Sequence, residues 1–386
     1  MEAVSRPFSD AHHFSSQGFP KRTVGTVCPV GFGEVLSANP PMIRIALDAM
    51  GGDSAPHVEV QGAIQAAREL PVGVTLVGDE KRIKQELNLH QIRGLSLEVV
   101  HASQIISMKD SATAALRKKK DSSIRVAMNL VRKGMASGVV SAGNTGACLA
   151  AAKLTLGALN TVDRPALAAV LPTAKNRPSV LVDVGATVDC KPNQLFQFAI
   201  MGESFARLVL DSPRPRVGLL SIGQEDMKGN ELTKEVFQLL KSAPLNFLGN
   251  IEGREVFKGE VDVIVCDGFI GNVVLKVSEG LSEVVTHLLK KDLSSGLSSQ
   301  IGALLSRKAF QNFVRRMDYS EYGGAPLLGV RGAVIICHGS STAKAIKNAI
   351  RVALEFCVKR VNERIEEEIK TYSSRGTHIP NPSVIS

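Results

Sequence analysis

From residue 43 the chain alternates short β-branched runs with Gly-rich turns and helix-length amphipathic stretches, and this alternation narrows the available folds most. The runs are Ile43–Leu47, Val74–Val77, Gly138–Ser141, Val180–Asp183, Val217–Ser221, Val261–Cys266 and Ala333–Cys337. Such a pattern builds βαβ units, giving an α/β fold with a mostly parallel, doubly wound sheet and helices on both faces. No fixed-period repeat and no long linker interrupts it, so one large two-lobed unit is expected. In that architecture ligands bind beyond the carboxyl ends of the strands, where helix N-termini face a crevice. Polar residues gather there: Asp48, Ser141 before Asn144-Thr145-Gly146, Asp183, Ser221 before Lys228-Gly-Asn230, Asp267 before Asn272, and His338 before Ser340-Ser341. Six such turns on one edge would form a long polar cleft.

Residues 1–42 read differently. Ser, Gly and Pro are scattered there without periodicity, and Glu2, Asp10 and Glu34 balance Arg6, Lys21 and Arg22. No apolar core of a secretory signal is present. A disordered N-terminal extension is expected, with Met42 a second candidate start, and residues 43–386 form the α/β domain. Within that domain, 281–319 reads as an amphipathic helical insertion. Phe310, Phe313, Val314 and Met317 recur at helical spacing, with Lys308, Arg315 and Arg316 toward the opposite side. A helix packed on the core or on a partner subunit gives this pattern, and so does a basic helix lying on an anionic bilayer.

Composition excludes several classes. Aromatic residues are 4% of the 386 and Trp is absent, which leaves no stacking platform for single-stranded nucleic acid. The six cysteines are widely spaced with no CxxC pair, so neither a disulfide framework nor a zinc site is expected, and the compartment is read as reducing and cytoplasmic. The net charge of +9 suits an acidic partner, an anionic membrane or an anionic substrate. No apolar run is long enough to span a bilayer. GxxxxGK[ST], GxGxxG, HExxH and GxSxG are all missing, which weakens the nucleotide kinase, Rossmann dehydrogenase and serine hydrolase readings.

The turns offer an anion site instead. Small residues at Ser141–Gly146 let the backbone approach a ligand, and free amides at a helix start favour negative charge. Ser340-Ser341-Thr342 is a second start of that kind. Lys191, before a helix that Pro192 opens, and Lys228, before the helix Glu231–Leu240, oppose the helix dipole unless an anion lies between. Taken singly, Asp267 reads as a helix cap and His338 as a buried imidazole.

The run Ile45-Ala-Leu-Asp-Ala-Met-Gly-Gly-Asp-Ser-Ala-Pro56 resembles the opening of the bacterial phosphate acyltransferases of phospholipid synthesis, the PlsX family. Further matches follow in order: Ser141–Ala147, Arg164–Ala166, Asp183–Ala186, Asp189–Pro192, Lys228–Asn230, Gly249–Arg254, Cys266–Asn272, Asp318–Gly324 and His338–Ser341. The resemblance spans residues 43 to about 356. The extension has no place in the family pattern, and Thr187 stands where Asn is expected.

The resemblance implies a fold similar to the isopropylmalate dehydrogenase and phosphotransacetylase group, a homodimer, and an enzyme that associates peripherally with membranes. The implied reaction converts acyl-[acyl carrier protein] and inorganic phosphate to acyl phosphate and free carrier protein, with no metal or other cofactor. On this reading Lys191, the Ser141–Gly146 turn with Asn144 and Thr145, and Ser340–Ser341 hold phosphate, with Asp48 beside them. Lys228, Asn230 and Asn272 polarise the carbonyl, Asp267 orients a donor and His338 moves a proton. Phe310, Phe313, Val314 and Met317 contact the membrane. The competing readings are a metal-dependent hydroxy-acid dehydrogenase of the same fold group and a non-catalytic scaffold that binds carrier protein at a membrane.

Overall fold

The computed structural model of the chain describes residues 42–175, 177–294, 296–308, 310 and 322–374. The chain divides into Met1–Pro41 and Met42–Ser386. The first unit lies outside the described residues, as do Phe313, Val314 and Met317.

The second unit is built on one 11-stranded sheet. One parallel half runs β3 (Leu97–His101), β2 (Gly73–Gly78), β1 (Arg44–Asp48), β4 (Gly138–Ser141) and β11 (Ala333–Ile336). The other runs β6 (Ser179–Val182), β9 (Val263–Val265), β7 (Val217–Leu220) and β8 (Phe247–Ile251). Between them lie β10 (Ala325–Leu328) and β5 (Ala166–Leu171), and the three pairings β11–β10, β10–β5 and β5–β6 are all antiparallel.

Those three reversals correct the expectation of six turns on one edge. An odd number of antiparallel steps leaves the second half running opposite to the first, so the two sets of carboxyl ends leave from opposite edges of the sheet. The strands that carry the reversal were the hard ones to read. β5 is Ala-Leu-Ala-Ala-Val-Leu, rich in a residue that is no strand former, and β10 is a short Ala-Pro-Leu-Leu whose proline cannot donate to the ladder.

Alternation across the strands separates two apolar cores. On one face Ile45, Leu47, Val74, Leu76 and Val180 meet α1 (His57–Glu69), α6 (Pro192–Leu208), α7 (Glu231–Ser242), α10 (Ala343–Val358) and α11 (Val361–Ser374). On the other, Ala46, Val139, Leu167, Ala169, Leu181 and Ile336 meet α3 (Ala112–Lys118), α4 (Ser123–Arg132) and α5 (Thr145–Thr155). Val274 and Leu275 of α8 (Gly268–Leu293) pack on this second face as well. Beyond its first turns α8 is exposed, and only Gly268 and Gly271 are buried along it. Among the described residues no helix is long and apolar enough to cross a membrane.

Candidate active site

β1 and β4 pair with Asp48 opposite Ser141, so the two strand-end polar groups meet directly. Ser141 Oγ donates to Asp48 Oδ2 at 2.8 Å and accepts from the Gly143 amide at 3.1 Å, while the Met50 amide donates to Asp48 Oδ1 at 3.2 Å. Burial pushes the Asp48 carboxyl above its ordinary range, and hydrogen bonds from Ser123, Ser141 and Met50 oppose that rise. Both side chains are essentially without solvent contact. The polar atoms of Asp48 and Ser141 thus bond to each other and to the turn. That turn closes tightly, since a Cβ on Gly51 would lie 2.7 Å from the Gly143 nitrogen.

Asn144 caps α5 by accepting from the Ala147 amide at 3.0 Å, and its Nδ2 donates to the Met108 carbonyl at 3.1 Å. Thr145 and Gly146 are exposed in the first turn. The loop after β11 packs beside the loop after β1, with the Asp53 amide donating to the Gly339 carbonyl at 2.9 Å. There the Ser340 amide and hydroxyl lie 3.3 and 2.7 Å from His338 Nδ1. Two donors on Nδ1 assign that atom as acceptor and put the ring proton on Nε2. Ser341 closes the turn through its amide to the His338 carbonyl at 3.0 Å, and Thr342 caps α10.

In the second half Asp183 organises the site, a role the sequence reading did not assign. Its Oδ1 accepts from the amides of Leu167 (2.8 Å), Gly185 (3.2 Å) and Ala186 (3.0 Å), and its Oδ2 from Thr187 (2.7 Å). The signal was visible as a strand-end Asp followed by Gly, the pattern of a carboxylate that ties down its own loop. The Thr187 amide meets Asp183, its carbonyl accepts from the Gly268 amide at 2.9 Å, and its Oγ1 donates to the Pro165 carbonyl at 3.4 Å. Either Thr or Asn supplies the two backbone groups. Gly268 has to be glycine, because a Cβ there would lie 2.5 Å from both Asp183 Oδ2 and the Thr187 carbonyl.

Asp267 caps α8, accepting from the Ile270 amide at 2.8 Å, and Asn230 caps α7, accepting from Thr233 at 2.9 Å. Lys191 stands at the cap position of α6 with its amide bonded to Gln194 Oε1 at 3.0 Å. Lys228 is held by its backbone alone, through Glu225 and Ser221. Both ammonium groups are exposed and have no carboxylate partner among the described residues.

Between α5 and α8 a cavity of about 340 Å³ opens over the central strands β5 and β10. Thr145, Asn272 and His338 line it, three of the residues picked from sequence. Lys191, Lys228, Asn230, Asp267, Asn144, Ser340 and Ser341 lie outside its lining, so the single cluster drawn from sequence becomes a cleft with surrounding turns. The wall residues Leu149, Leu275, Lys276 and Glu279 were not picked, and only Asn272 at i, i+3, i+4, i+7 spacing from the last three pointed to them.

Glu59 was missed as well. It sits on the buried face of α1 with Ala63 and Ala66, 1% exposed, beneath the Gly51–Asp53 loop, and its Oε2 has no hydrogen-bond partner among the described residues. Burial, reinforced by Asp48 and Asp53, pushes its carboxyl up to about 7.

With the geometry in place, comparison with known proteins assigns the chain. A family model described as fatty acid synthesis protein matches residues 43–364. A phosphate acyltransferase from Geobacter sp. (strain M21) is 57% identical over 85% of this chain and 93% of its own length. Another, from Acidobacterium capsulatum, is 55% identical over 84% of this chain and 96% of its own. The chain belongs to the phosphate acyltransferase (PlsX) family. The fold is shared more widely: a phosphotransacetylase from Streptococcus pyogenes superposes with a TM-score of 0.57 at 13% identity, covering 82% of this chain and 94% of that one. EutD phosphotransacetylase from Staphylococcus aureus gives 0.54 at 14% identity, covering 82% and 94%. These likenesses establish the α/β fold group expected from sequence.

Proposed function

We propose that the protein transfers the acyl group of an acyl-[acyl carrier protein] to inorganic phosphate, releasing acyl phosphate and free carrier protein for phospholipid synthesis. The observation that carries this reading is its membership of a family whose relatives bear the name phosphate acyltransferase at 53–57% identity over most of their length. The relatives named above favour neither the dehydrogenase nor the scaffold reading. The chemistry suits the cleft. Cys337, the thiol in its lining, is pushed up to about 12 by burial, so it supplies no thiolate nucleophile at neutral pH. Phosphate itself is the nucleophile.

In the proposed step a phosphate oxygen attacks the thioester carbonyl, forming the new C–O bond while the C–S bond breaks. The proton carried by HPO₄²⁻ ends on the departing thiolate, whose thiol has a pKa of about 8.5 by analogy with cysteine. His338 relays it: the Nε2 proton passes to sulfur while the phosphate's proton reaches Nδ1 through the Ser340 hydroxyl, 2.7 Å away. Amides of the α5 first turn with Thr145, and the Lys191 ammonium, hold phosphate. Asn272, with Lys228 and Asn230 from the neighbouring turn, steadies the developing oxyanion. Asp267 acts through the cap that sets the first turn of α8. Holding the reactants together is the larger part of the work.

The test is release of free carrier protein from a long-chain acyl-carrier substrate, with and without inorganic phosphate. Phosphate-dependent release with hydroxylamine-trappable acyl phosphate is expected; release without phosphate would make the protein a thioesterase, and carrier binding without release a scaffold. Lys191→Ala should raise the KM for phosphate by about tenfold, the worth of one charge-assisted hydrogen bond. Lys228→Ala should lower kcat by about a hundredfold, as for one lost oxyanion donor. Near-normal kinetics in both would remove the lysines from the site.

The basic balance suits docking of an acidic carrier protein in the cytoplasm, with steep salt dependence. The family's homodimer and membrane contact find support in α8, about 39 Å long at 1.5 Å per residue. Phe269, Val273, Val277, Leu281, Val284 and Leu288 form an exposed apolar stripe along it, Val277 at 64% and Leu281 at 62%. We assign Phe269, Val273 and Val277 of the stripe to a second copy of the chain, and the 281–319 insertion, with Leu281, Val284, Leu288 and Phe310, to the inner face of an anionic membrane. Val277→Asp should halve the mass measured by light scattering, and Phe310→Asp should weaken liposome sedimentation. An unchanged mass or unchanged sedimentation would remove the corresponding contact.

A further inference from the structure

The cavity between α5 and α8 has two kinds of lining, and their arrangement follows from helix geometry. Its polar groups, Thr145 and Asn272, stand in the first turns of α5 and α8. Leu149 lies four residues after Thr145, and Leu275 three residues after Asn272, each one turn further along the same helix face. Leu167 and Ala169 supply the floor from one face of β5, and Ala325 and Ile336, which are paired across β10 and β11, continue it. On α5 the wall passes from polar to apolar within one turn, while on α8 Leu275 lies beside the Lys276–Glu279 pair. Lys276 and Glu279, bonded to each other at 2.7 Å, also belong to the lining, so their charges are matched within the cleft. At about 340 Å³ the space falls in the range of small-ligand pockets. Phosphate alone leaves its apolar part without purpose, since a dianion gains nothing from leucine and alanine walls.

We propose that the apolar part of this cleft is the acyl-chain subsite, and that Leu149, Ala169 and Leu275 set how much chain the enzyme accepts. The inference rests on the proposed phosphorolysis of acyl thioesters and adds to it the position of the chain. The thioester carbon sits at the polar mouth among Thr145, Asn272 and His338, and the hydrocarbon runs inward between α5 and α8 over β5. Each methylene buried there changes kcat/KM by about tenfold or more. Ala169 is the decisive position, because its methyl group on the floor leaves the room that a larger side chain would take.

The experiment measures kcat/KM for a short-chain and a long-chain acyl-carrier substrate with wild type, Ala169→Leu and Leu149→Ala. Ala169→Leu blocks the floor, and the long-to-short ratio is expected to fall by about tenfold or more through the KM of the long chain. Leu149→Ala strips contacts from a half-exposed wall and should lower the same ratio; it decides the matter if Ala169→Leu does not fold. Equal losses on both substrates would overturn the proposal, and would assign the cleft to the arm of the carrier protein, which is common to every chain length. A wild type with no phosphate-dependent release on any substrate would instead defeat the underlying reaction, an outcome distinct from an unchanged ratio.

Discussion

Asp183→Ala is expected to destabilise the protein by at least about 3 kcal/mol and to abolish phosphate-dependent turnover with it. The carboxylate is fully buried and accepts four backbone amides, from Leu167, Gly185, Ala186 and Thr187. Alanine leaves all four without an acceptor, and each stranded buried donor costs about 1–3 kcal/mol, less where water enters. The loop it releases forms the cleft wall at Val184 and Gly185, and Gly185 in turn lies against Asn272, 3.7 Å from its Cβ for a side chain at that glycine. Asp183→Asn provides the graded control. Its oxygen keeps the three donors of Oδ1, while its NH₂ opposes the Thr187 amide, so a smaller loss of about 1–3 kcal/mol is expected. Urea unfolding with an unchanged m-value measures both. Wild-type midpoints for Asp183→Ala would mean the cage does not hold this turn.

The second large effect is a pH dependence of stability that Glu59→Gln removes. The native carboxyl is pushed up to about 7 by burial, with Asp48 and Asp53 adding to the rise, against 4.5 for an ordinary glutamate. Between those values the native state holds a proton that the unfolded chain has lost. Stability from this group is therefore complete below pH 4.5 and falls as pH rises to about 7, where it levels off. The span is worth about 3 kcal/mol at roughly 1.4 kcal/mol per pKa unit. Glutamine mimics the neutral acid at every pH, so the stability of wild type relative to Glu59→Gln should drop by about 3 kcal/mol between pH 4.5 and pH 8. Any constant cost of the amide shifts both ends equally and leaves that difference intact. Parallel stability curves would show that Glu59 ionises as freely as a surface glutamate.

Much of the fold was legible because its signals are local. A β-branched run reads as a strand through its own rotamer and pairing preferences, and Pro192 or Asn230 marks a helix start within one turn. Asp267 was legible as a cap for the same reason, and the structure uses it so, with Asn144 and Asn230 capping their own helices as well. β5 and β10 were not, because Ala-Leu-Ala-Ala-Val-Leu and Ala-Pro-Leu-Leu have no strong local preference and become strands through neighbours distant in sequence.

Sequence by itself determined the class of fold, the family, and the polar turns from which a site is drawn: an ordered series of short motifs survives any uncertainty in their spatial relation. The tertiary structure alone decided which of those residues meet. Three antiparallel pairings turn the second half of the sheet around, place the cleft over β5 and β10, and bring Thr145 of α5, Asn272 of α8 and His338 of the loop after β11 to it. The same long-range pairing buries Asp48 and Ser141 against each other and leaves Glu59 without a partner for one oxygen among the described residues. Strand direction and burial are properties of pairs of segments, and a single segment read along the chain carries neither.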